Sequence, residues 1–166
     1  VDLSASKLEI ARIMGATQPT MTVLSDRPDS PNAADTWHTD VTWIAEPPKA
    51  ALLHMETPSL VGGDTLGASA TKAYDALSPA VQEFFCGLTV VHDKAGFGER
   101  VAAKAGAARD QILAALERDY PPVEHPLVRT HPETGKRALF FARQFISHIK
   151  DLTAAESDMV LDFVDD

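Results

Sequence analysis

The chain has 166 residues, 45% hydrophobic and 23% charged, the composition of a globular protein large enough to bury a core. Lys and Arg number 15 against 24 Asp and Glu, a net charge of −9. With no basic block present, that balance excludes phosphate-backbone or anionic-membrane binding as the main activity. No run approaches the roughly 18 apolar residues of a spanning helix and no secretory leader is recognisable. The single Cys86 cannot form an internal disulfide and fits a reducing compartment. The expectation is one cytoplasmic domain over residues 1–166, acting on a small molecule without nucleic acid or membrane.

In chain order, Ser4 or Ser6 can cap a helix carrying Leu8, Ile10, Ala11 and Ile13 and ending at Gly15. Met21–Leu24, Val41–Ile44 and Ala50–Glu56 read as short strands, and Asp64–Leu66 as another after the Gly62-Gly63 turn. Ser69 predicts a cap for a helix through Leu77, and Ser78-Pro79 opens a second running to Phe85, with Gly87 as its stop. Cys86, beside Phe84 and Phe85, is expected in the core. Leu88–His92 is an apolar, β-branched strand. Residues 94–108 carry Gly, Ala and Lys without periodicity and predict a mobile loop or lid. Asp110–Arg118 reads as helix. Val123–Thr130 and Arg137–Phe141 flank a turn at His131–Gly135 and predict a hairpin. Thr153 and Glu156 form a capping box for a last helix, whose apolar face is expected to be Ala155, Met159, Val160, Phe163 and Val164. Strands are expected to dominate, with helices as insertions. The abrupt end after Val164 and the start within a helix predict a domain cut at both ends.

Several chemistries lack their motifs. Gly67-Ala68-Ser69-Ala70-Thr71 has no second glycine for a nucleophile elbow, and Gly62-Gly63 is not followed by a phosphate-binding Gly-Lys-Ser/Thr. One constellation remains, Trp37-His38-Thr39-Asp40. On an extended chain, residues i and i+2 point to one side, so His38 and Asp40 can offer an imidazole and a carboxylate to one ion. These are two of the three ligands of the 2-His-1-carboxylate facial triad of non-haem Fe(II) oxygenases. His-x-Asp alone is a weak motif.

Its context is specific. Trp37–Trp43, then Gly62-Gly63-Asp64-Thr65-Leu66, then His125–Gly135 occur in that order, followed by Leu139, Phe140, Phe141, Phe145, Ile149, Leu152 and Glu156-Ser157. From Trp37 onward the chain resembles the taurine dioxygenase (TauD/TfdA) family of Fe(II)- and 2-oxoglutarate-dependent dioxygenases. The resemblance implies a mostly β double-stranded β-helix (jelly roll) with helical insertions, incomplete in this chain. It implies that His38 and Asp40 are iron ligands and that Thr65 hydrogen-bonds a carboxylate of 2-oxoglutarate. A second histidine ligand and a 2-oxoglutarate-binding arginine, expected on late strands, have no counterpart within these residues. The implied reaction uses Fe(II), 2-oxoglutarate and O2 to hydroxylate a small, sulfonate-type anion, releasing succinate and CO2. Substrate-facing candidates are His92, Lys94 and Phe97; His54, His125 and His131 read as scaffold.

Two other readings compete: a non-catalytic jelly-roll remnant serving as a binding module, and a hydrolytic metal site using His38, Asp40 and a further histidine. Hydrolysis explains neither the Gly-Gly-Asp-Thr segment nor the hairpin signature. Unpaired sheet edges would favour association, so a homo-oligomer is among the expectations.

Overall fold

The computed structural model describes residues 36–94, 96, 98–99 and 109–166. The expected first helix, the Met21–Leu24 strand, Phe97 and most of the 94–108 loop lie outside the described residues.

Local chemistry sets the helices. Helix α1 spans Ala70–Ala76, and its N-cap Ser69 accepts from the Lys72 N–H through its side chain. Helix α2, Pro79–Cys86, begins with proline at the first turn, where a missing N–H costs nothing, and ends at Gly87. After strand β1 (Thr89–His92) come α3 (Arg109–Asp119), β2 (Val123–Pro126), β3 (Val128–Thr130) and β4 (Arg137–Leu139). A 3-10 turn, Arg143–Phe145, leads into β5 (Ile146–Ile149) and then α4 (Ala154–Asp165). Helix α4 has the full capping box: Glu156 N–H donates to the Thr153 side chain, and Thr153 N–H donates to the Glu156 carboxylate.

Strand β1 is the centre of a three-stranded sheet, β2-β1-β5, antiparallel on both sides. Edge position lets β2 end in Pro126, which has no N–H to give a ladder. Val90 lies opposite His125 on one side and Ile149 on the other. Strands β3 and β4 form a separate hairpin. Its turn is held by Gly135 at φ 69 and by His131 Nδ1, which accepts from Glu133 N–H at 3.2 Å and Thr134 N–H at 3.3 Å.

The main core joins α2, the sheet and α4: Phe85, Val90, Leu127, Ile146, Ile149, Val160 and Leu161. A smaller cluster of Trp43, Ala142 and Phe145 packs with Val41, Ile44 and Tyr120. The sheet is tied to α4 by a hydrogen bond from Ile149 N–H to Ser157 Oγ, 2.9 Å and fully buried.

Several expectations need correction. Strands are three or four residues long and helices run from seven to twelve, so among the described residues helix dominates and no closed jelly roll is formed. Val41–Ile44 is not a strand: Asp40–Trp43 form a turn, with Val41 at φ 56. Among the described residues Ala50–Glu56 and Asp64–Leu66 have no ladder partners; Leu52, Leu66 and, between the two segments, Leu60 and Val61 are exposed, and His54 lies on an unpaired stretch. Strand propensity is realised only where a neighbour supplies hydrogen bonds and packing. Cys86 is exposed, not core, because it ends α2 on the side facing Tyr74 and Arg137. In α4 the buried positions are Ser157, Val160 and Leu161, while Met159 and Phe163 remain exposed.

Candidate metal centre

His38 and Asp40 lie on either side of a change in backbone direction. Residues 37–39 run without regular structure, and the turn begins at Asp40. The two side chains converge, with His38 Nε2 3.4 Å from Asp40 Oδ1. His38 Nδ1 is 2.8 Å from the Thr36 carbonyl, which can only accept, so Nδ1 carries the hydrogen. With Nδ1 so engaged, Nε2 is the ring nitrogen that faces the Asp40 carboxylate. Two atoms each about 2.1 Å from one ion, at a right angle, stand about 3 Å apart, so small side-chain rotations suffice for the pair to share a metal. Both side chains are partly open to solvent, at 31% and 56% exposure.

The pair lines a shallow cavity of about 200 Å³, together with Thr39, Pro48, Lys49, Ala50 and Ala51. Lys49 forms an ion pair with Glu133 in the β3–β4 turn, tying the cavity wall to the hairpin. An imidazole nitrogen and a carboxylate oxygen suit first-row divalent metals, and the donor set therefore fits iron. Among the described residues no group of three His, Cys, Asp or Glu side chains is placed to hold a metal ion. His38 and Asp40 are thus two candidate donors without a third among the described residues.

The turn that carries Asp40 is strained. A β-branched residue at positive φ is a genuine outlier, and such conformations cost on the order of 1–3 kcal/mol and persist where surroundings over-determine them. Here Val41 and Ile44 pack against the Trp43 cluster, and Trp43 meets Tyr120 edge-to-face at 5.2 Å. Thr42 is wholly buried and its hydroxyl lies 2.8 Å from His92 Nδ1. His125 Nε2 donates to the Ile44 carbonyl at 3.1 Å.

The remaining expected site residues are dispersed. Thr65 is exposed on the unpaired stretch and does not line the cavity. His92, expected to face substrate, is fully buried, packed against the rings of His125 and Phe140 at 5.1 and 5.5 Å. Burial, with the charges of His125 and Arg129 nearby, lowers its pKa to about 4, so it is neutral at physiological pH. The same desolvation lowers His125. Lys94 is also largely buried and lines no part of the cavity. His125 and His131 are scaffold in geometry, one bracing the turn at Ile44 and the other organising the hairpin turn. Lys49 and Thr42 carry roles that no local pattern announces.

Comparison with known proteins agrees with the residues from Trp37 onward. The model of the taurine catabolism dioxygenase TauD, TfdA family matches residues 7–166, and the chain belongs to that family. It is 32% identical over 170 residues to an alpha-ketoglutarate-dependent sulfonate dioxygenase of Saccharomyces cerevisiae, covering 95% of this chain and 39% of the relative. It is 34% identical over 129 residues to an alpha-ketoglutarate-dependent sulfate ester dioxygenase of Pseudomonas putida, covering 75% of this chain and 41% of that one. A taurine dioxygenase from Burkholderia xenovorans, known from its crystal structure, is 29% identical over a match covering 58% of this chain and 27% of its own, with a TM-score of 0.41. The chain thus spans about two fifths of the length of these curated relatives. No helix among the described residues is long and apolar enough to cross a membrane.

Proposed function

We propose that this chain is the part of an Fe(II)- and 2-oxoglutarate-dependent dioxygenase domain that contributes two iron ligands, His38 and Asp40. The observation that carries the reading is the convergence of His38 Nε2 and Asp40 Oδ1 at 3.4 Å, with the histidine tautomer already set by Thr36. Family membership gives the convergence its chemical meaning. Bound iron, with 2-oxoglutarate and O2, supplies the oxidising power for hydroxylating an unactivated carbon, with succinate and CO2 as co-products.

The chain's own residues hold and orient. His38 presents a neutral nitrogen donor and Asp40 a negative oxygen, which offsets part of the cation's charge. Thr65 is assigned to a carboxylate of 2-oxoglutarate, for which a compact neutral hydroxyl is a suitable donor. Its exposed position leaves the hydroxyl free to reach a ligand. The substrate is assigned as a small sulfonate-type anion, in line with the relatives named for sulfonates and sulfate esters.

The test is an anaerobic titration with Fe(II) and 2-oxoglutarate, followed by the metal-to-ligand charge-transfer absorption of the chelate. The band is expected with the full-length protein and lost in its His38→Ala and Asp40→Ala variants. A band that survives both substitutions overturns the assignment. No band in the full-length protein favours a binding module without the chemistry.

A further inference from the structure

We infer that His92 and His125 are positioning residues for the His38–Asp40 pair, acting through the turn that follows Asp40; this rests on the metal reading above. Thr42 and Ile44 lie two and four residues beyond Asp40, and the two histidines grip them from the sheet. His92 comes from the central strand β1 and His125 from its neighbour β2, and the paired register of Val90 with His125 sets both rings on one face. The two rings meet edge-to-face at 5.1 Å, and each also packs on Phe140. Arg129 covers the Phe140 ring at 4.5 Å.

The device is a clamp with a specific load. Val41, between Asp40 and Thr42, sits at φ 56, a conformation that a free valine abandons for the extended region. Released from Thr42 and Ile44, the turn would relax and carry the Asp40 carboxylate away from His38 Nε2. His92 is fully buried, and among the described residues its Nε2 has no hydrogen-bond partner, a polar atom that an aliphatic side chain would avoid. Its position is explained by the bond that Nδ1 makes to Thr42.

The test compares Thr42→Val, which removes the hydroxyl at nearly constant shape, with Thr42→Ser, which keeps it. Two quantities are read on the whole chain: hydrogen exchange of the metal-free backbone at Val41–Ile44, and Mn(II) affinity by the loss of the free-ion paramagnetic resonance signal. Thr42→Val should speed exchange in this turn and weaken Mn(II) binding by about tenfold each, the worth of one buried hydrogen bond. Exchange at Val90 and Ile149 should change less, and Thr42→Ser should restore both quantities. His125→Phe, which removes the donor to Ile44 and keeps a ring, should behave as Thr42→Val does and serves if that variant does not fold. Mn(II) binding indifferent to His38→Ala overturns the metal reading and this inference with it. Binding that needs His38 but is unchanged in Thr42→Val and His125→Phe overturns this inference alone.

Discussion

Thr42 and His92, fifty positions apart in sequence, are joined by a 2.8 Å hydrogen bond from which solvent is wholly excluded. The bond joins the turn beside Asp40 to the central strand of the sheet. A histidine buried in this way must stay neutral for the fold to hold.

Stability should therefore fall on mild acidification. His92 titrates near 4 in the folded chain, against 6.5 for the free imidazole. Between those values the unfolded state binds a proton that the folded state refuses. The contribution is complete above pH 6.5 and declines as pH falls, by about 3 kcal/mol on reaching pH 4. His125, shifted the same way, adds to the slope. Urea unfolding at pH 7 and pH 4.5 measures the difference, and His92→Phe should flatten it.

Metal binding and stability should separate at the candidate centre. His38 and Asp40 are partly exposed, and no core packing depends on either. Each alanine variant should lose Fe(II) binding while its unfolding free energy stays within about 0.5 kcal/mol of wild type. Cys86→Ala, with the thiol exposed beside Tyr74 and Arg137, should leave iron binding unchanged. Calorimetric metal titration with parallel urea melts checks all three.

Ser157→Ala should destabilise more than an ordinary serine substitution. The side chain is 1% exposed and is the acceptor for the Ile149 N–H on an edge strand. Removing it strands a buried donor, at a cost of about 1–3 kcal/mol. The shift of the urea midpoint at constant slope reads it directly.

Thr153→Ala should cost about 1 kcal/mol by breaking the reciprocal cap on α4. Glu156 is held below the usual carboxylate range by its hydrogen bonds to Thr153, so the wild-type cap should weaken as pH falls toward and below the ordinary glutamate value. A double-mutant cycle with Glu156→Gln, followed by circular dichroism, separates the cap from general helix propensity.

The elements that could be read from sequence are those whose signals are local. Ser69, Ser78-Pro79, Gly87 and the Thr153–Glu156 box act within one helical turn, and each sits where the pattern put it. The hairpin around His131–Gly135 followed for the same reason. Val41–Ile44 looked like a strand because its side chains are apolar and β-branched, yet a strand exists only through its neighbours, and there the chain turns at Val41 instead. Strand β5 escaped notice because Ser147 and His148 interrupt it, with an irregular register opposite Val91 and His92. The spacing of His38 and Asp40 drew attention in the sequence, although the two side chains meet across the start of a turn and not along a strand. Their support was not legible, since the partners of Thr42 and Ile44 lie 50 and 81 positions away.

The stretch that carries Leu52, Leu60, Val61 and Leu66 has a practical consequence. Leu52 and Leu60 are as open to water in the folded chain as in an unfolded one. A fluorescent dye that lights up on greasy surfaces should already glow with the native protein at room temperature. Melting curves followed with such a dye would begin from a high baseline and understate the transition, and in a cell the same stretch is what a chaperone that grips oily segments would take hold of.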